Sequence, residues 1–440
     1  MRIVSVAARH ARSWGRFYAS LERPIRLYAI EGALIALTVN LINNNNNLFA
    51  NRLGANDFHL GLVSMLPQLV NMLVLLPGAI LTDSLKTKRA MVIFSISLTG
   101  VIYLAIGFVP LLQSMRLAAF IGLLSLSGGA MTLYNLSWQS FFPEVIPIEK
   151  RNKTLTIKTT LAAFMGVLTP LITGSILSGL NTNELKIMGH QGFFIGGAIL
   201  IAVQIAVLKR MYSVNASDPR RIGFGTLKKA FVSLLHNKSF MFYACVAWFF
   251  YITWQMDWTM YYIGQTQYLK MNEAQLGLAI VAGTLAQFLT MRFWSRMNER
   301  RGVTFTLTFG LFGLALNPIA MISATLLPVS VNIPLFILFH TIANLTAATI
   351  QLNPFQCLLE VLDDKYKTLS ISIFTVLTCL SNALMPFSGV MLYRFLGGDL
   401  GALRGMFLTV LVLRIIAGLV WLFRWRLINR KGLQTVSQSI

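Results

Sequence analysis

Apolar residues fall along this chain in long blocks separated by short polar stretches. The blocks lie at about 27–50, 58–82, 90–112, 116–142, 155–180, 191–208, 239–265, 273–296, 303–327, 332–358, 368–394 and 401–425. About 20 apolar residues, wound as a helix, cross the hydrocarbon core of a bilayer. Each block therefore predicts one spanning helix. Most blocks are apolar on every side, as helices facing lipid or other helices should be. The pattern predicts an all-α membrane protein of about twelve transmembrane helices, arranged as two six-helix bundles.

The longest polar connection, about 209–238, falls at the middle of the chain and contains Asp218-Pro219-Arg220-Arg221 and Lys228-Lys229. It divides the chain into a basic N-terminal segment (1–26), a first bundle (27–208), a linker (209–238), a second bundle (239–427) and a tail (428–440). An internal repeat supports the division. Leu53-Gly54-Ala55-Asn56-Asp57-Phe58-His59-Leu60-Gly61-Leu62 matches Leu269-Lys270-Met271-Asn272-Glu273-Ala274-Gln275-Leu276-Gly277-Leu278 at an offset of 216 residues. At the same offset Asp83 meets Glu299, Glu144 meets Glu360 and Pro170 meets Pro386. An even number of helices per repeat gives two halves of like orientation, whose interface near the midplane is where a ligand site is expected. Asn56 and Asn272 read as helix N-caps, with Asp57 and Glu273 in the favoured first turn.

Composition agrees with burial in lipid. Of 440 residues 55% are hydrophobic and only 12% charged, with a mean hydropathy of +0.66; soluble domains carry about 25% charged residues. The net charge of +22 does not indicate nucleic-acid binding, because its cations are spread over short loops instead of one soluble face. They instead follow the bias that sets membrane topology. With the N-terminus inside, 30 of the 37 Lys and Arg lie on the cytoplasmic side. These include Lys150, Arg151, Lys153 and Lys158. Arg52, Arg116, Lys186, Lys270, Arg394 and Arg404 lie outside, and Arg414 falls within the last helix. Both termini are expected to be cytoplasmic, in the plasma (inner) membrane. Arg2, Arg9, Arg12 and Arg16 precede any acid and no signal-peptide core follows them, which suits a basic helix on the membrane surface. Cys245, Cys357 and Cys379 show neither metal spacing nor a disulfide framework; no metal or cofactor is expected.

The loop after the second block reads Ala79-Ile80-Leu81-Thr82-Asp83-Ser84-Leu85-Lys86-Thr87-Lys88-Arg89. It resembles the G-x-L-a-D-R-x-G-R-[RK]-[RK] loop of the major facilitator superfamily. Leu81, Asp83, Lys88 and Arg89 match; Ala79, Ser84, Lys86 and Thr87 depart. In the second half Ser295-Arg296-Met297-Asn298-Glu299-Arg300-Arg301-Gly302 keeps Glu299, Arg300 and Gly302. The resemblance implies a cytoplasmic gate in which Asp83 meets the start of a helix near Thr368 and Glu299 one near Thr154. It further implies that the first, fourth, seventh and tenth helices line a cavity. Those helices are rich in amides and aromatics here. The first carries Asn40 and the run Asn43 to Asn47, with Asn40, Asn43, Asn44 and Asn47 on one face. The fourth carries Asn135 and Gln139, with Trp138 beside them. The seventh carries Trp254, Gln255, Asp257, Trp258 and Tyr261, and the tenth His340, Asn344 and Gln351. The five-Asn run is also expected to unwind its helix locally, which a membrane tolerates only beside water or protein.

Intramembrane charges mark functional candidates, because they are costly there. Asp257 leads, expected to point into a polar, aromatic-lined cavity with Thr253, Trp254 and Tyr261. Glu31 is expected either to snorkel or to pair with Arg26, and no role is evident for Arg414. The family likeness implies a secondary active transporter that moves a small organic solute by alternating access, helped by a coupling proton or cation, in contact with membrane lipids and acting as a monomer. Thr169-Pro170-Leu171-Ile172-Thr173-Gly174 keeps part of the G-P-x-x-G-G element of exporters, so direction stays open with a lean to export. A lipid flippase on the same scaffold, or a transport-inactive receptor or assembly protein, are the alternatives. No catalytic constellation is present, so an enzyme is not expected.

Overall fold

The structure, a computed structural model, describes residues 21–85, 87–212, 231–362 and 367–430, without the side chains of 351, 352, 367–369, 372, 429 and 430. Among the described residues every regular element is helical. The first span is α1 (Arg23–Asn43) and α2 (Asn46–Arg52). Spans two to six are α3 (Asp57–Ser84), α4 (Lys88–Phe108), α5 (Arg116–Val145), α6 (Ile148–Ser178) and α7 (Asn183–Leu208). The seventh is α8 (Lys238–Gln255) with α9 (Trp258–Ile263), the eighth α10 (Glu273–Arg301), and the ninth α11 (Val303–Leu314) with α12 (Leu316–Leu326). The tenth is α13 (Val329–Asn344) with α14 (Ala347–Leu359), followed by α15 (Lys367–Phe395) and α16 (Leu400–Arg430).

Nine helical stretches among the described residues are long and apolar enough to cross a membrane, ten when α13 and α14, which meet at 47°, form one span. One stretch runs 58 residues from Lys88 to Val145. At 1.5 Å per residue it would reach about 87 Å, almost three bilayer cores. It is instead a hairpin, α4 and α5, folded at a short 3-10 turn where Gln113 takes a φ of 36°. The broken span α8–α9 brings the number to twelve.

Local sequence explains several starts and stops. Asn56 and Asn272 accept the backbone N–H of His59 and Gln275, and those side chains bond back to the cap N–H groups, closing a reciprocal box at both repeats. The first span breaks between Asn43 and Asn46, inside the Asn run, with Asn45 buried and its amide donating to the Leu41 carbonyl. The Asn45 amide thus satisfies a backbone acceptor that the interruption frees.

α4 packs on α5 and α7, α3 on α5, and α1 on α6 and α7; in the second group α11 packs on α14 and α16, α8 on α15 and α16, and α12 on α13 and α16. The groups meet chiefly through α3 with α15 and α6 with α10. The end where α1 begins and α16 finishes is called inner, following the charge bias. Among the described residues the polar bonds between the groups lie toward the outer end. Glu273 accepts from Arg52 at 2.5 Å and Lys186 at 2.7 Å, Gln267 donates to Asp57 at 2.8 Å, and Ser64 meets Thr259 at 2.8 Å. Beside them α6 and α10 cross closely at two glycines. A Cβ on Gly174 would stand 2.7 Å from the Glu273 carbonyl, and one on Gly277 2.6 Å from that of Pro170.

Candidate functional site

A carboxylate buried among hydrocarbon helices must be neutralised or fully hydrogen-bonded. Glu31 on α1 has no exposed surface and meets four donors. Tyr134 of α5 donates its hydroxyl to Oε1, and Gln204 of α7 donates its amide to the same oxygen at 3.0 Å. Trp138 of α5 donates its indole N–H to Oε2 at 3.2 Å, and the Lys158 ammonium of α6 reaches Oε2 at 3.0 Å. Four helices thus converge on one side chain. The Lys158 nitrogen also sits 3.3 Å from the centre of the Trp138 ring, a cation–π contact. The Lys158 stem passes over Gly32, where a Cβ would collide with it. Counted along their helices, Glu31, Tyr134 and Lys158 lie about 12–16 Å from the inner ends of spans about 45 Å long, within the membrane but in its inner half.

This cluster forms one wall of a cavity of about 380 Å³ lined by Ile35, Tyr134, Asn135, Trp138, Gln139, Leu155, Lys158, Thr159 and Ala162. Asn135 and Gln139 are exposed to it, while Lys158 presents 17% of its side-chain surface. The sequence-based expectation for Glu31 is corrected: its partner is Lys158, and Arg26 is not involved. Lys158 is likewise no loop cation. It stands on the third turn of a 31-residue helix. Lys158 falls inside the apolar block 155–180, which is the available signal that it belongs in the span. Tyr134 and Gln204 carry no charge that would single them out.

Asp257 occupies the break between α8 and α9 and is 1% exposed. The Arg414 guanidinium of α16 meets its Oδ1 at 2.6 Å and also donates to the carbonyls of Leu314, at 2.9 Å, and Trp254, at 3.1 Å. Arg414 is 4% exposed. The pair therefore ties the interrupted seventh span to the ninth and twelfth, and neither residue lines the cavity above. Trp254 stacks on Phe250, Tyr261 packs on Phe407, Gln255 is half-buried and Trp258 is exposed. His340 bonds Asn317 at 2.9 Å and Asn344 donates to the His340 carbonyl at 2.8 Å, so both are engaged within the second group of helices. Asn40 donates to the Ala36 carbonyl and Asn44 to Asn40, while Asn43 is exposed and Asn47 half-buried. The side chain of Gln351 lies outside the described residues.

Of the gate residues, Lys88 is buried and caps the end of α3, donating to the carbonyls of Thr82, Asp83 and Leu85 at 2.7, 3.0 and 2.8 Å. Such a cation satisfies helix-end carbonyls and complements the negative pole of the dipole. Arg89 donates to the Lys209 carbonyl and lies over Tyr212, tying the start of α4 to the end of α7. Asp83 is half-buried, and Glu299 and Arg300 are exposed. Gly302 joins α10 to α11 with φ 85° and ψ 156°, a region nearly confined to glycine. Lys86, at the equivalent place in the first half, and the Thr368 side chain lie outside the described residues.

Twelve spans, two repeated groups and an intramembrane cavity that a charged and two amide side chains enter fit a membrane transporter of the two-bundle kind. The chain belongs to the Major Facilitator Superfamily, whose family profile matches residues 29–266. Solved structures share its fold. A bacterial homolog of the human lysosomal transporter Spinster, inward-facing and unoccupied, is 14% identical, with 92% of this chain and 96% of that one covered and a TM-score of 0.67. A mutant form of the nucleoside transporter NupG is 11% identical over 91% and 99%, with a TM-score of 0.72. A bacterial homologue of the iron transporter ferroportin, inward-facing, is 11% identical over 92% and 98%, with a TM-score of 0.70. No curated protein sequence matches. The protein is thus an integral, multi-pass membrane transporter.

Proposed function

We propose that this protein is a secondary active transporter for a small organic solute, which it binds in the cavity beside Lys158, Trp138, Asn135 and Gln139. The cavity carries this reading. Its volume of about 380 Å³ suits a small molecule, for which pockets of roughly 300–1,000 Å³ are usual. It combines an aromatic wall, two free amides and a charge inside the membrane, supplied by α1, α5 and α6. The volume also favours a compact solute over a lipid. The bonds of Glu273 to Arg52 and Lys186 and of Gln267 to Asp57 support an alternating-access cycle seen with its outer end shut. In that state the inner latches at Asp83 and Glu299 are expected to be apart, since both ends cannot be closed and still admit solute. Placing the inner end in the cytoplasm rests on the Lys and Arg bias.

The test is a solute screen in proteoliposomes, with and without a proton gradient, using the wild type and Asn135→Trp. The indole should fill the cavity and abolish transport while leaving folding intact. A solute carried at the wild-type rate by a folded Asn135→Trp protein would contradict the site.

A further inference from the structure

We infer that the solute carries an anionic group, a carboxylate, which takes Lys158 away from Glu31 while a proton takes its place on Glu31. The inference rests on the cavity reading above and adds the substrate's charge. The two members of the pair differ in what they offer. Glu31 is sealed, and each oxygen already accepts two bonds. A cationic solute therefore finds no free acceptor on it. Lys158 lines the cavity, and its ammonium has three protons, one of them directed to Glu31 at 3.0 Å. Its second contact is the Trp138 face, a support that yields more readily than an ion pair. The charge the cavity presents is positive.

Charge balance supplies the rest. Lys158 and Glu31 together are neutral. Adding an anion leaves one uncompensated negative charge inside the membrane, where a lone carboxylate is expensive. One proton from the solvent, added to a Glu31 oxygen, restores neutrality. The products are a Lys158 ammonium paired with the solute carboxylate, and an uncharged Glu31. No electron moves and no covalent bond other than O–H forms.

The surroundings of Glu31 are fitted for both states. Two of its donors, Tyr134 and Trp138, are neutral and remain when Lys158 leaves. A protonated Glu31 needs an acceptor in its shell. Gln204, with no exposed surface, holds a buried Oε1 that has no partner, while its Nε2 serves both Glu31 and the Tyr134 hydroxyl at 3.0 Å. An unsatisfied buried acceptor is costly. A half-turn of this amide places its oxygen where it accepts from the new Glu31 O–H. Gln204 is then a positioning residue for the proton, and solute and proton move together in one direction.

The experiment uses the purified full-length protein and matched panels of small organic acids, their amides and amines of equal size. Thermal shift in detergent reads binding, and a pH dye trapped in proteoliposomes reads proton movement. Acids alone should stabilise the protein, and each transported acid should carry one proton. Lys158→Gln should weaken acid binding at least tenfold, and Lys158→Arg should restore most of it. Because Lys158→Gln strands a buried carboxylate, the neutral double variant Glu31→Gln/Lys158→Gln is the folding control; it should fold and still fail to bind acids. Glu31→Gln alone should bind and exchange acids without accumulating them against a gradient. Gln204→Leu should lower the pH at which acid uptake is half-maximal while Lys158-dependent binding persists. Binding by amines or amides alone, by no acid of the panel, or acid transport without protons would overturn the inference. If amines are carried and Asn135→Trp stops them, the cavity stands and only the anion is wrong. If Asn135→Trp changes nothing, the site itself is misplaced.

Discussion

Two buried ion pairs among the described residues, Lys158 with Glu31 and Arg414 with Asp257, are built differently. Lys158 and Glu31 meet beside a cavity, with the cation partly exposed and resting on an aromatic face. Arg414 and Asp257 meet with both side chains nearly sealed, and the guanidinium also holds two backbone carbonyls from different spans. A point charge on a flexible stem can change partners. A planar fork with several fixed acceptors fastens. Intramembrane charge therefore signals either work or joinery, and the contacts of the cation decide between them. On this account Asp257, the leading candidate from the sequence, holds a broken helix in place, while the working pair sits in the other half.

The largest expected effect is at the fastening. Arg414→Leu leaves the Asp257 carboxylate buried without a cation, a change that costs about 3–5 kcal/mol. The protein should express poorly or melt far below wild type, and Arg414→Leu/Asp257→Asn should recover part of the loss. A stable Arg414→Leu protein that lacks only transport would erase the contrast. Lys158→Gln should lower the melting temperature less, because Tyr134, Trp138 and Gln204 still donate to Glu31, yet remove transport entirely.

A smaller effect is expected at the outer closure. Glu273→Gln removes the negative charge shared by Arg52 and Lys186, so a cysteine placed at Ser64 should react faster with an impermeant thiol reagent from outside. Unchanged reactivity would mean that close packing at Gly174 and Gly277 alone shuts this end. The smallest effect tests the repeat. Asn272→Ala removes an N-cap and should cost about 1 kcal/mol in a thermal melt, with Asn56→Ala costing a similar amount.

The comparison also shows what the sequence could carry. Helix number, both Asn caps and the interruption at the Asn run follow from local patterns, because the chemistry deciding them lies within a few residues. The pairings do not. Glu31 and Lys158 are 127 residues apart and Asp257 and Arg414 157, and no repeat relates one pair to the other. Lys158 is further disguised by its place three turns into a long helix, where it resembles a loop cation. His340 and Asn344 share a face as expected, but that face meets Asn317 within the second group.

The most direct measurement places a single cysteine at position 135 in a protein whose Cys245, Cys357 and Cys379 have been replaced. Proteoliposomes of it are assayed for uphill transport before and after complete reaction with a bulky thiol reagent. Transport should fall to background on modification and return when the adduct is reduced away; undiminished transport by fully modified protein would contradict the assignment of the Lys158 cavity as the substrate site.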